Sequence, residues 1–223
     1  MTTATQTGGS TPWQEYLGRR GLVERPLNVA LEASISLLKS GCKAKPYLMS
    51  DAGIGKTEGT RYVVAPALNA FFVGIVGGFA TADQERGVPI IKETVDETTG
   101  TKTYSFTPAA RDLLADPMNE LRETGKIVRG DDEYTSMLLF FDELNQADSE
   151  VLKIFFSAFT SDNLPGLDWS DLPVYVMAAG NPPINGYQVK KIHLSEAWDR
   201  RLCTIPVAKS TFKTWRKWAK PAG

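Results

Sequence analysis

The eight residues Ser50-Asp-Ala-Gly-Ile-Gly-Lys-Thr57 constrain this chain more than any other segment, because they join a strand-like run to a helix-like run and carry the parts of a phosphate-binding loop. Glycines let consecutive backbone N–H groups turn inward around an anion, a lysine reaches terminal phosphates, and a hydroxyl holds Mg²⁺. Gly53, Gly55, Lys56 and Thr57 supply those groups. The usual pattern opens with a glycine where this chain has Ser50, and a serine enters such a turn only at negative φ.

On either side of the loop the pattern is that of alternating helices and buried strands. Leu27, Ala30, Leu31, Ile35 and Leu38 fall at helical spacing after Pro26, and Gly41 follows as a stop signal. Pro46 to Met49 reads as a short buried strand, and Lys56 to about Ala65 as the helix that the loop caps. Phe71 to Val76, Met137 to Phe141, Val174 to Ala179 and Leu202 to Val207 read as further apolar strands, and Ser149 to Thr160 as a helix with an apolar stripe. Pro108 to Ala115 and Asn119 to Thr124 are expected as two short helices, and Leu194 to Arg201 as another. Two β-prone runs between Ile90 and Phe106 flank the polar stretch from Asp96 to Thr101, which predicts a projecting hairpin. Strands that are apolar throughout and alternate with helices imply an α/β fold with a parallel sheet covered on both faces.

Composition narrows the function classes. The chain has 223 residues, enough to bury its own core, with a net charge of -1 that announces neither a global basic field nor acidic disorder. Cys42 and Cys203 lack metal-ligand spacing and His193 is the only histidine, which argues against a zinc site and for reduced thiols. No apolar run reaches the roughly 18 residues of a membrane span, so a soluble, cytoplasmic protein is expected.

Two strand tips carry further chemistry. Met137 to Phe141 runs straight into Asp142 and Glu143, and the carboxyl end of a parallel strand opens onto the ligand crevice. There Asp142 could support Mg²⁺, and Glu143 could accept a proton from an attacking water. Solvated acids at a strand end are the plain alternative. Val174 to Gly180 ends in Asn181, whose neutral amide could bond the same water or a terminal phosphate; Asn-Pro is equally a turn signal. Arg200 and Arg201 could reach a neighbouring subunit's phosphates, or stand as a solvated basic pair.

Taken together these motifs resemble the MoxR-like branch of the AAA+ ATPases. Asp51-Ala52-Gly53-Ile54-Gly55-Lys56-Thr57, with Glu58 after it, is similar to its Walker A, and Leu-Leu-Phe-Phe-Asp-Glu-Leu-Asn-Gln-Ala to its Walker B. Ala-Ala-Gly-Asn-Pro is similar to its sensor 1, Asp199-Arg200 to its arginine-finger segment, and Arg86-Gly-Val-Pro89 to the stretch before its hairpin. The resemblance covers about Leu27 to Trp218. It implies a three-layer P-loop NTPase sheet with a β-hairpin insertion, in which residues 51–58 bind ATP, Thr57 and Asp142 the Mg²⁺, Glu143 activates water, Asn181 senses the γ-phosphate, and Arg200 acts in trans. Arg201 stands where the family usually has an aromatic residue, which leaves the choice of finger open between the two arginines.

The Thr-, Gly- and Ser-rich start of the chain, without apolar periodicity, is expected to be a flexible tail (1–12), and the resemblance divides the rest into an ATPase core (13–208) and a short terminal helix (209–223). Family members continue into a helical lid, for which this chain has only the segment around Trp215-Arg-Lys-Trp218; Arg216 is a substitute lid arginine or a surface residue. The implied protein is a ring-forming, hexameric ATPase that remodels a protein partner, of a kind that often bears a von Willebrand A domain. Two other readings stay open. One is a nucleotide-binding scaffold with little turnover. The other is a DNA-directed loader, opposed by the near-neutral charge and favoured by Lys209, Lys213, Arg216, Lys217 and Lys220 interleaved with Phe212, Trp215 and Trp218.

Overall fold

The computed structural model describes residues 11–81, 89–95, 102–108, 112–184 and 196–209, with only the backbone of 89–95 and 102–108. In chain order the first elements are α1 (Pro12–Arg19), α2 (Leu27–Lys39), β1 (Lys45–Met49) and α3 (Lys56–Gly59). A π-helical segment, Thr60–Val64, carries α3 on into α4 (Ala65–Ala67), followed by β2 (Ala70–Val76). Then come β3 (Pro89–Val95), β4 (Lys102–Pro108), α5 (Asp112–Thr124), β5 (Ile127–Arg129), β6 (Asp132–Tyr134) and β7 (Ser136–Asp142). The last are α6 (Ser149–Thr160), β8 (Asn163–Leu164), β9 (Leu167–Asp168), β10 (Val174–Gly180), α7 (Glu196–Asp199) and β11 (Leu202–Pro206).

Five strands form one sheet in the order β11-β1-β10-β7-β2, and every adjacent pair is parallel. The fold is the α/β, three-layer arrangement that the apolar runs imply. In β7, Leu138 and Phe140 turn to the face covered by Ala30, Leu31 and Leu38 of α2. Met137, Leu139 and Phe141 turn to the opposite face, against Leu114, Met118 and Leu121 of α5 and Phe155 and Phe159 of α6. This period-two split of a wholly apolar strand is what burial on both faces demands. Phe141 anchors the second face, with ring centroids 4.8 Å from Phe155 and 5.2 Å from Phe159.

The sheet order brings distant segments together. β1 lies between β11 and β10, and β10 between β1 and β7, so the ends of β1, β10 and β7 are neighbours along one edge. Met49 is paired with Gly180, and Phe141 with Ala178. The loop after β1, the turn after β10 and the acidic end of β7 therefore open onto the same crevice.

Several expectations need correction. The two short helices expected around residues 108–124 are one helix, α5, with Pro117 inside it, and Pro108 belongs to β4. An interior proline costs about 3 kcal/mol. Leu114, Met118 and Leu121, buried at helical spacing, hold the helix together across it. The helix expected over 194–201 is a single turn, Glu196–Asp199, among the described residues. Thr11 and Pro12, expected within the tail, belong to the start of α1, and residues 1–10 lie outside the described residues. Pro12 opens α1, and Thr11 and Gln14 form a reciprocal capping box. The hairpin expected between Ile90 and Phe106 is the antiparallel pair β3 and β4. Its connecting residues 96–101, the Arg86-Gly-Val stretch and the terminal segment 210–223 lie outside the described residues.

Candidate functional site

The loop between β1 and α3 turns through Gly53 at φ 76° and Gly55 at φ 91°, backbone conformations that favour glycine. Ser50 is not among the positive-φ residues, which meets the condition for a side chain at that position. It is almost fully buried, and its backbone N–H bonds Gly180 O at 3.3 Å. Lys56, 7% exposed, folds back over the loop. Its Nζ donates to Ser50 O (3.0 Å), Ser50 Oγ (3.1 Å) and Asp51 O (2.9 Å). The serine that replaces the first glycine thus supplies two of the lysine's three acceptors, one of them a hydroxyl that a glycine would lack. Burial pushes the Lys56 ammonium below its ordinary range, while Asp142, Asp51 and Glu143 pull it back up.

The acidic end of β7 meets this loop. The Thr57 hydroxyl donates to Asp142 Oδ2, and Asp142 Oδ1 accepts from the Glu143 N–H at 2.9 Å. Both carboxylate oxygens are therefore oriented. Glu143 itself stands in the left-handed region at φ 50°, where the chain leaves β7 for a 3₁₀ turn, Leu144–Gln146. A non-glycine residue there carries backbone strain and is found most often where a site demands it. The end of β2 comes so close that a Cβ on Gly77 would lie 2.8 Å from Glu143 O. The absent side chain of Gly77 is thus the space that the Glu143 backbone occupies.

The tip of β10 is held from the other side. Asn145, fully buried in the 3₁₀ turn, donates from Nδ2 to Asn181 O at 2.7 Å, and its Oδ1 accepts from Asn181 N at 3.2 Å. A Cβ on Gly180 would sit 2.1 Å from the Tyr47 hydroxyl and 2.4 Å from Asn145 Oδ1, so only glycine leaves room for this clamp. Desolvation raises the Tyr47 phenol far above its ordinary value and keeps it neutral. Sequence reasoning gave no site role to Asn145, Gly77 or Gly180; Asn145 entered only within the run similar to Walker B, two positions after the acidic pair.

These elements enclose a cavity of about 510 Å³, lined by Ala52, Gly53, Ile54, Gly55, Lys56, Thr57, Glu58, Asp142, Glu143, Gly180 and Asn181. Its volume falls within the span of about 300–1,000 Å³ typical of small-molecule sites. Asp51 does not line it, and instead forms an ion pair with Lys209 at 2.6 Å. Arg200 and Arg201 also stand apart from it. Arg200 is exposed and paired with Glu196 one turn earlier in the chain, and Arg201 accepts from Lys45 N through its carbonyl at 2.7 Å. Arg20 holds Asp199 at 2.7 Å, which ties α1 to the segment that presents the arginines.

Among the described residues no three His, Cys, Asp or Glu side chains gather into a metal-binding group. A hard cation that keeps its waters and phosphate oxygens needs no such group, and the Thr57–Asp142 pair is a donor set suited to Mg²⁺. Among the same residues no helix is long and apolar enough to cross a membrane.

No protein-family model and no curated protein matches the chain. Among solved structures it is similar to the RuvB Holliday junction branch migration motor of Thermotoga maritima, at 16% identity over 92% of this chain and 48% of that one, with a TM-score of 0.43. It is also similar to NtrX of Brucella abortus, at 13% identity over 91% of this chain and 41% of that one, with a TM-score of 0.46. The chain spans less than half the length of each of these two structures.

Proposed function

We propose that this chain binds and hydrolyses ATP as the core of an AAA+ type assembly. The observation that carries the reading is the convergence of Lys56, Thr57, Asp142, Glu143 and Asn181 on one cavity at the carboxyl edge of three adjacent parallel strands. Residues 52–58, which line the cavity, cradle the phosphates, with Lys56 exchanging its loop acceptors for phosphate oxygens. Thr57 and Asp142 hold Mg²⁺, which offsets charge on the terminal phosphates when bound. Glu143 orients the attacking water and accepts its proton, and Asn181 hydrogen-bonds that water or the γ-phosphate.

Arg200, with Arg201 beside it, serves the site of a neighbouring copy. Its exposure and its absence from the lining of its own cavity support a role in trans, and a role in trans requires a neighbouring copy, for which a ring of six is expected. The assembly remodels a protein partner, and the antiparallel β3–β4 pair is the candidate contact, including for a von Willebrand A domain.

Calorimetric titration with ATP and Mg²⁺, paired with mass measurement in solution, tests the reading. The expected result is saturable heat and growth in mass with the wild-type chain, and loss of both in Lys56→Ala. No heat with wild type, together with unchanged behaviour of Lys56→Ala, overturns it.

A further inference from the structure

We propose that Asn145 is a positioning residue of this site, one whose buried amide fixes Asn181 relative to Glu143. The inference rests on the ATP reading above. The ladder between β7 and β10 ends at Phe141 and Ala178, so Asn181 lies beyond the last rung, yet it is only 3% exposed and its backbone groups need partners. A carboxamide is planar and offers one acceptor and one donor side by side, the complement of a peptide's N–H and C=O. Asn145 presents that edge to Asn181, accepting at 3.2 Å and donating at 2.7 Å, and so adds a rung where the sheet has stopped.

The amide acts between two residues that both line the cavity. Asn145 follows Glu143 by two positions on the 3₁₀ turn, and the turn's close fit against Gly77 leaves Glu143 little freedom. Gly180 keeps the space open, since a Cβ there would meet Asn145 Oδ1. Movement of the amide therefore moves the Asn181 side chain against the Glu143 carboxylate, while Lys56 and Thr57, whose bonds run to Ser50, Asp51 and Asp142 and not to Asn145 or Asn181, keep their own partners.

Steady-state turnover and ADP affinity of the full chain, measured for Asn145→Ala, Asn145→Asp, Asn181→Ala and the Asn145→Ala/Asn181→Ala pair, test the role. A displacement of about 1 Å at a reacting centre costs about 10²-fold, so kcat is expected to fall by about that factor in Asn145→Ala. KM and ADP affinity should hold, and the pair should be no slower than Asn181→Ala alone. Asn145→Asp sets an oxygen against Asn181 O and should show the same loss, which keeps the test open if the alanine variant does not fold. If neither folds, hydrogen exchange on wild type decides: a fast-exchanging Asn181 amide overturns the clamp, and a protected one is required by it. Wild-type turnover in a folded Asn145 variant, ADP affinity lost in step with turnover, or losses that multiply in the pair each overturn the role alone. A wild-type chain that binds no nucleotide overturns the ATP reading and the role with it.

Discussion

The Thr57 hydroxyl donates a hydrogen bond to Oδ2 of Asp142, although 85 positions separate the two in the chain. One bond thus ties the first turn after the glycine loop to the acidic end of β7. Thr57→Val should cost about 1.5–3 kcal/mol of stability in urea unfolding, the net worth of one hydrogen bond to a charged group. Its larger effect should be on binding, where the gain in ATP affinity on adding Mg²⁺ is expected to disappear. Titrations with Mg²⁺ and with a chelator check this.

Lys56 should make ATP affinity depend on pH. Burial lowers its ligand-free value from 10.5, whereas an adjacent phosphate favours the ammonium. Binding therefore takes up a proton in the window between the lowered value and the bound one. Affinity is full below the ligand-free value and falls as pH rises through it, until the bound value is passed. Calorimetry across that range checks the slope. Lys56→Arg should flatten it, because a guanidinium does not deprotonate there.

Glu143→Gln should separate binding from chemistry. The amide keeps the side chain's size and loses its basicity, so turnover is expected to fall by about 10²–10⁴-fold, the usual weight of a general base. ATP affinity should stay near that of wild type. Equal loss of both would instead mark Glu143 as a binding residue.

Arg200 should act on a site other than its own. Arg200→Ala and Glu143→Gln chains are each expected to be slow alone, yet a mixture should regain turnover. An Arg200→Ala site next to a Glu143→Gln neighbour has both an intact carboxylate and an intact arginine. A mixture as slow as its components would place Arg200 outside the chemistry.

Gly180→Ala should destabilise the fold by about 1–3 kcal/mol, the usual cost of overpacking. Its Cβ meets the Tyr47 hydroxyl and the Asn145 amide at once. Adding Tyr47→Phe should return part of the loss and leave the remainder to Asn145. Urea midpoints of the single and double variants measure the split.

Much of this architecture was legible because the sheet is buried on both faces. β7 and β10 are nearly unbroken apolar runs, and such runs end where the chain reaches polar groups, which located Asp142, Glu143 and Asn181 at strand tips. The glycine loop was equally plain, since its residue types are those that its backbone and its chemistry require. Pro117 misled the reading of residues 108–124, because a local penalty outweighs spacing in a short window and tertiary burial of Leu114, Met118 and Leu121 reverses the balance. The small β5–β6 and β8–β9 pairs went unread because segments of two or three residues carry no period.

By itself the sequence determined which groups stand ready at strand ends: a lysine and a hydroxyl after β1, two acids after β7, an amide after β10. Only the tertiary structure decided that these ends are neighbours, because the order β11-β1-β10-β7-β2 is set by how the crossovers pack and no single strand encodes it. The same holds for Asn145, Gly77 and Gly180. Their roles are matters of fit between backbones far apart in the chain, and closeness of that kind leaves no mark in a local pattern of residues.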